Sequence, residues 1–286
     1  MDEMLVRSAL AVGSLTGLGF IFGLILSVAK KKLHVEKDPR IESVENALPG
    51  ANCGACGFPG CAAYAEKIVM DDADITLCPV GGGELVTMIS DIMGKQGSAV
   101  RQMIARVHCQ GGIHNTKNRF IYKGPHNCTA AQQVRGGFRV CSYGCLGLGE
   151  CMTACPFHAI TMSEERLPVV DPDKCTGCGK CVVACPRNII SLQPVECEVY
   201  VLCSNREKGP VMKQGCAVGC IGCKLCVVKA CKLVFADNPD IDTAITVNNL
   251  LAQVNSDTCI NCGRCGEVCP QNVISLPKKV KVTAHE

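Results

Sequence analysis

Tryptophan is absent, and only seven phenylalanines and four tyrosines occur in 286 residues. A core of large aromatic rings is therefore excluded, and small domains that lack one lean on bound metal for stability. Nucleotide signatures are missing too. The run Gly81-Gly82-Gly83 lacks the strand–GxGxxG–helix setting, and no GKS or GKT phosphate loop occurs. No nucleophile and base stand at a persuasive spacing. A net charge of +3 is too small to argue for nucleic acid, and no aromatic–basic RNA-binding motif accompanies it. One stretch lacks acidic residues altogether: between Asp91 and Glu150 there are Lys95, Arg101, Arg106, Lys117, Arg119, Lys123, Arg135 and Arg139, but no Asp or Glu. It reads either as a solvated basic face or as a docking surface for an acidic protein.

What the chain has in excess is cysteine, 25 in all. A secreted disulfide scaffold would be shorter and would carry an even number. An anchor precedes them. Residues 8–29 carry no charge and would rise ~33 Å as a helix, enough to cross a hydrocarbon core. Gly13 and Gly17 form a GxxxG, a weak helix-packing signal. A signal peptide is the competing reading, with Ser27-Val28-Ala29 resembling a cleavage site, but the run is long and the Met-Asp-Glu start is acidic. Lys30, Lys31 and Lys32 place the C-terminal side in the cytoplasm, where thiols stay reduced.

The spacings are those of metal ligands. Cys53-x2-Cys56-x4-Cys61-x16-Cys78 brings a third thiol at once to the first two, which suits a four-iron cubane better than zinc, whose sites usually take two separated CxxC pairs. Cys175-x2-Cys178-x2-Cys181-x3-Cys185-Pro186 and Cys259-x2-Cys262-x2-Cys265-x3-Cys269-Pro270 are bacterial ferredoxin runs, in which the fourth thiol ligates a second cluster. Each run needs an upstream partner. Cys141-x3-Cys145-x5-Cys151-x3-Cys155-Pro156 precedes the first, and Cys220-x2-Cys223-x2-Cys226-x4-Cys231 the second. Cross-ligation then predicts Cys155 with Cys175, Cys178 and Cys181, and Cys185 with Cys141, Cys145 and Cys151. It likewise predicts Cys231 with Cys259, Cys262 and Cys265, and Cys269 with Cys220, Cys223 and Cys226.

Two irregularities stand out. Leu148 occupies the place of a middle cysteine, so Cys141 must substitute, and Cys231 is followed by Lys232 instead of proline. Five cysteines remain: Cys109, Cys128, Cys197, Cys203 and Cys216. Cys128-x12-Cys141-x3-Cys145 matches Cys203-x12-Cys216-x3-Cys220 in spacing, so these are either buried small residues or ligands of a further cluster. Five [4Fe–4S] clusters are expected, with a sixth or more left open. His108 and His126 adjoin spare cysteines and read either as metal ligands or, the plainer expectation for scattered histidines, as surface residues.

The expected fold is α+β. A transmembrane anchor (1–32) leads to a four-cysteine [4Fe–4S] domain (33–94) and a basic connector (95–136). Two ferredoxin-like (βαβ)2 modules follow (137–193 and 194–277), then a tail (278–286).

The single N-terminal helix, the NCGACGFPGC domain and the ferredoxin runs, in that order and over essentially the whole chain, resemble the B subunit of the Rnf complex. NCGACGFPGC by itself is also similar to the four-cysteine domain of corrinoid iron–sulfur proteins. The resemblance implies an ion-pumping oxidoreductase, fed by reduced ferredoxin and delivering to NAD⁺, that moves Na⁺ or H⁺ outward. It implies a single-pass protein of a bacterial or archaeal cytoplasmic membrane, with its soluble domains in the cytoplasm and other Rnf subunits as partners. Flavin, nicotinamide and the ion path would lie on those subunits. A second module is where this chain departs from simpler members. Other readings are an iron–sulfur subunit of a hydrogenase or quinone reductase, a redox sensor, or a zinc-stabilised scaffold.

Overall fold

The computed structural model describes residues 2–32, 38–97, 100–234 and 243–277, so the expected tail lies outside the described residues. Helix α1 (Asp2–Lys32) contains one 18-residue stretch, Val12–Ala29, of mean hydropathy 2.0 and with no part buried. Its side chains are apolar all round, and a helix of that kind has no polar face to turn to water. It is the one described helix long and apolar enough to cross a membrane.

The next domain is a three-helix cap over a cysteine loop. In α2 (Pro39–Ala47) the Asp38 carboxylate accepts from Arg40 N–H and Pro39 fills the first turn, both favourable at a helix start. It buries Ile41 and Val44 against Tyr64 and Ile68 of α3 (Cys61–Met70) and Leu85, Val86 and Ile89 of α4 (Gly82–Met93). Tyr64 stacks on Phe58 at 5.3 Å and donates its hydroxyl to the Asp74 carbonyl at 2.7 Å.

A first α/β unit contains β1 (Met103–Val107), α5 (Cys128–Gln133), α6 (Glu150–Thr153), β2 (Ile160–Met162), β3 (Pro168–Val170), α7 (Lys180–Val183) and β4 (Ile190–Pro194). Strands β2 and β3 form a hairpin, while β1 pairs antiparallel with β4, Met103 opposite Pro194 and Val107 opposite Ile190. The basic stretch 95–136 is thus no mere spacer. It supplies the strand that closes this unit.

The second unit contains α8 (Gly209–Gly215), a π-helical turn (Cys226–Cys231) running into α9 (Lys232–Val234), the hairpin β5 (Ile245–Asn248) and β6 (Leu251–Val254), and α10 (Arg264–Glu267). A bridge between Val201 and Ile274 stands where the first unit has β1 against β4. The π-turn explains the odd Cys226-x4-Cys231 spacing. A wider turn absorbs the extra residue, and Lys232, unlike proline, lets the helix continue as α9.

The basic residues work inside the fold. Arg101 pairs with Glu196 at 2.8 Å and Asp257 at 2.6 Å, across to the second unit. Arg106 donates to the Cys197 carbonyl at 2.9 Å and lies 4.9 Å over the Tyr200 ring. Arg119 donates to the Val140 carbonyl and Ser142 hydroxyl, each at 2.8 Å. These bonds hold the three side chains to their own chain. His108 is not at the surface. Its Nδ1 donates to the Val201 carbonyl and its Nε2 accepts from Ser191 Oγ, both at 2.7 Å. Burial lowers its pKa and keeps the ring neutral. His126 is exposed as expected.

In the two α/β units, cysteine loops turn on a residue of positive φ two places after a cysteine: Gly147, Gly177, Gly222 and Asn261. Gly177 (φ +68°) and Gly222 (φ +66°) show why glycine is used: a Cβ would lie 2.5 Å from the Met103 carbonyl oxygen and 2.9 Å from that of Leu250. Gly222→Ala is expected to cost about 1–3 kcal/mol. Lys229→Ala, on an exposed side chain of the same unit, should stay within about 0.5 kcal/mol. Thermal unfolding of the iron-loaded chain compares them, and equal midpoints would refute the steric account.

Candidate metal centres

None of the 25 cysteines forms a disulfide. Cys53, Cys56, Cys61 and Cys78 face one void of ≈320 Å³, its mouth included, between the N-terminus of α3 and the Pro79-Val80 turn. Asn52 Oδ1 accepts from Cys61 N–H at 2.8 Å and fixes the loop, while backbone N–H groups of Val80 and Gly81 reach the Cys78 sulfur. Cys155, Cys175, Cys178 and Cys181 surround a second void of ≈310 Å³ under α7. Cys220, Cys223, Cys226 and Cys269 surround a third of ≈340 Å³. Cys231, Cys259 and Cys265 lie together in or against the core of the second unit, and the exposed Cys262 neighbours Cys259 and Cys265.

The structure departs from the spacing at Cys141. The void of ≈370 Å³ that holds Cys145, Cys151 and Cys185 takes Cys128 as its fourth thiol, and Cys141 lies instead with Cys109, Cys203 and Cys216. The physical reason is the loop around Leu148. Cys128 opens α5, whose start is capped by Asn127 Oδ1 accepting from Ala130 N–H at 2.8 Å. The Glu150 carboxylate accepts from Thr129 N–H and Oγ, each at 2.8 Å, and so docks α5 onto the start of α6. Backbone N–H groups of Leu148 and Glu150 then point at the Cys128 sulfur. Leu148 itself is buried against Ala131 and Leu146. Sequence reasoning leaves Cys128 unassigned, because the 16 residues between it and Cys145 put it in no local run.

The donor sets fit iron–sulfur clusters. All are thiols, and every set but that of Cys231, Cys259, Cys262 and Cys265 is ranged around an open void; among the described residues no three His, Cys, Asp or Glu side chains converge as they would on a single ion. Amide N–H groups point at the sulfurs, as in Gly147 to Cys145 at 3.3 Å and Ala159 to Cys155 at 3.4 Å. Burial pushes the thiols up, Cys181 and Cys226 to about 11 and Cys151 and Cys265 to about 12, with neighbouring sulfurs adding to it. Such thiols ionise only when a metal supplies positive charge. Cys197 stands apart: it is buried beside Cys259 and its S–H donates to the Val199 carbonyl at 3.4 Å.

Paired cysteine sets, hairpins and short helices of this kind define an iron–sulfur protein of the ferredoxin type. Comparison with known proteins agrees. Residues 48–80 match the family described as "Putative Fe-S cluster", and residues 168–191 and 252–275 match the 4Fe-4S binding domain family. The B subunit of the ion-translocating oxidoreductase complex of Methanosarcina acetivorans is 41% identical over 276 residues, 96% of this chain and 100% of the relative. The B subunit of the Na(+)-translocating ferredoxin:NAD(+) oxidoreductase complex of Acetobacterium woodii is 44% identical over 95% of this chain and 79% of the relative. The proton-translocating counterpart of Clostridium ljungdahlii is 39% identical over 91% and 89%. The chain belongs to the family of Rnf complex B subunits.

Substituting Cys128→Ala is expected to remove about four irons per chain, because it removes a ligand of one centre. Adding Leu148→Cys, at the place a regular run would use, is expected to restore them. Iron and acid-labile sulfide assays check both, and an unchanged iron content in Cys128→Ala would return that ligand position to another residue.

Proposed function

We infer that the chain is the membrane-anchored electron-input arm of an Rnf-type complex, taking electrons from reduced ferredoxin and passing them to membrane subunits that reduce NAD⁺ and move Na⁺ or H⁺. The observation that carries this is the succession of thiol sets. Cys231, Cys259, Cys262 and Cys265 adjoin the Cys220, Cys223, Cys226 and Cys269 set, Cys265 interacting with Cys226. In the first unit Cys151 and Cys181 couple the other two sets in the same way. At the far end Lys180, between ligands Cys178 and Cys181, comes within 4.0 Å of where a Cβ on Gly54 would lie, beside Cys53. The four-cysteine domain, which follows α1 along the chain, thus adjoins the first unit.

Each set holds a [4Fe–4S] cluster, which gains or loses one electron with little rearrangement. The two units act as ferredoxin-like modules, and α1 as a single-pass anchor that leaves them in the cytoplasm. The residues of this chain supply ligation, N–H groups that stabilise charge on sulfur, and apolar walls that keep the centres apart from water.

Cys53→Ala is expected to lose about four irons, keep the rest, and bring ferredoxin-driven NAD⁺ reduction by the assembled complex to background. Full activity in that variant would refute the exit role of the four-cysteine domain. Zinc in place of iron in the wild-type chain would refute the electron-transfer reading as a whole.

A further inference from the structure

Besides Cys197, four cysteines remain outside the thiol sets described above. Cys109 follows β1, Cys141 precedes Cys145, Cys203 follows the Val201 bridge, and Cys216 closes α8; two come from each unit. They line a common void of ≈310 Å³, the same size as that of the Cys155, Cys175, Cys178 and Cys181 set. Two glycines show how close the sulfurs lie. A Cβ on Gly111 would sit 3.2 Å from Cys216 Sγ and 3.8 Å from Cys109 Sγ, and one on Gly144 would sit 3.4 Å from Cys141 Sγ and 3.9 Å from Cys109 Sγ.

The polar groups around this void point at sulfur. Asn205 is buried, and its amide donates to Cys141 Sγ at 3.5 Å while its backbone N–H donates to Cys203 Sγ at 3.4 Å. Arg139 is buried too, among Cys145, Cys109 and Cys216, and its Nε has no partner. A buried guanidinium without a carboxylate is costly unless something anionic neutralises it. A cluster held by four thiolates is anionic.

The set also joins its neighbours. Cys145 N–H donates to Cys109 Sγ at 3.3 Å, and Cys220 N–H donates to Cys203 Sγ at 3.3 Å. Cys145 belongs to the flanking set in the first unit and Cys220 to the flanking set in the second. Cys141 and Cys216 precede them by the same spacing, and Cys109 and Cys203 accept from them in the same way, so in the fold Cys109, Cys141 and Cys145 answer to Cys203, Cys216 and Cys220.

We propose that Cys109, Cys141, Cys203 and Cys216 hold a further [4Fe–4S] cluster at the junction of the two units, joining their centres into one line. The assignment rests on the iron–sulfur reading above and extends it. One electron crosses from the Cys220 side and leaves toward Cys145, reducing and then reoxidising the junction; no bond forms or breaks and no proton is needed. Reduced ferredoxin remains the source of the electron.

The test is iron and acid-labile sulfide per full-length chain, purified anaerobically in detergent and reconstituted with excess iron and sulfide to a constant value. Wild type should hold about twenty-four of each, and Cys203→Ala/Cys216→Ala about twenty, with one reduced-cluster signal lost from the electron paramagnetic resonance spectrum and the others kept. Cys197→Ala should stay at about twenty-four. A wild-type value of about twenty, or a double variant that keeps its iron, overturns the proposal. The wild-type count decides even where the variant fails to fold. It also separates the two readings, since about twenty irons would remove only the junction cluster, whereas zinc or no iron would remove the electron-transfer function with it.

Discussion

Buried sulfur is the constraint on which this molecule depends. A thiolate in a low-dielectric interior is unstable, and burial holds Cys203 at about 12, well above an ordinary thiol. The cores of both α/β units are nonetheless built around thiols: Cys145, Cys151, Cys155 and Cys181 lie among Ile160, Ile189 and Ile190, and Cys220, Cys226, Cys231 and Cys265 lie among Val199, Ile245 and Val273. Iron resolves the conflict by supplying the charge that ionised sulfur needs. Folding and cluster uptake are then one process. The scarcity of aromatics follows, because the centre of each unit is already filled by inorganic volume.

That constraint reaches the backbone. A four-iron centre needs ligands at several corners and amide hydrogens at its sulfurs, so the chain must bend sharply and repeatedly. Gly147, Gly177, Gly222 and Asn261, each two residues after the first cysteine of its loop, all take positive φ. The four-residue helices α6, α7 and α10 then send the fourth thiol of each run toward the second centre of the unit. Where the sequence has one residue too many, between Cys226 and Cys231, the helix widens into a π-turn and both thiols stay in the core.

What could be read in the sequence was what is local in it. Cys175 to Cys185 and Cys259 to Cys269 carry their ligand pattern within eleven residues, set by helical turns, and the structure brings each thiol to the set its spacing indicates. Cys128 and Cys109 escape such reading. Cys128 reaches its set through the Glu150 clamp on α5, and Cys109 through the pairing of β1 with β4. Both contacts are tertiary, and no periodicity announces them. The equal spacing of Cys128-Cys141-Cys145 and Cys203-Cys216-Cys220 pointed to a repeat, yet Cys128 and Cys203 serve different sets, because the second unit has Cys223 where the first has Leu148. Charge, too, is settled at long range: within the stretch that lacks acids, Arg101 meets Glu196 and Asp257 from far along the chain.

The same long-range ties decide how the two units are held. His108 bonds Val201 with one ring nitrogen and Ser191 with the other, Arg101 spans to Glu196 and Asp257, and Ser204 Oγ donates to the His108 carbonyl at 2.9 Å. The ion pairs are half exposed and contribute little. The buried contacts converge on the four thiols at the junction, two from each side. A cluster there makes the relative position of the units a matter of metal ligation, which is stronger than any of the surface pairs. Arg139 then has an anionic neighbour in place of a carboxylate, and its charge favours the reduced form of the centre beside it. Mechanical joint and electronic joint are the same group of atoms, so separating the units and breaking the line of centres become one event.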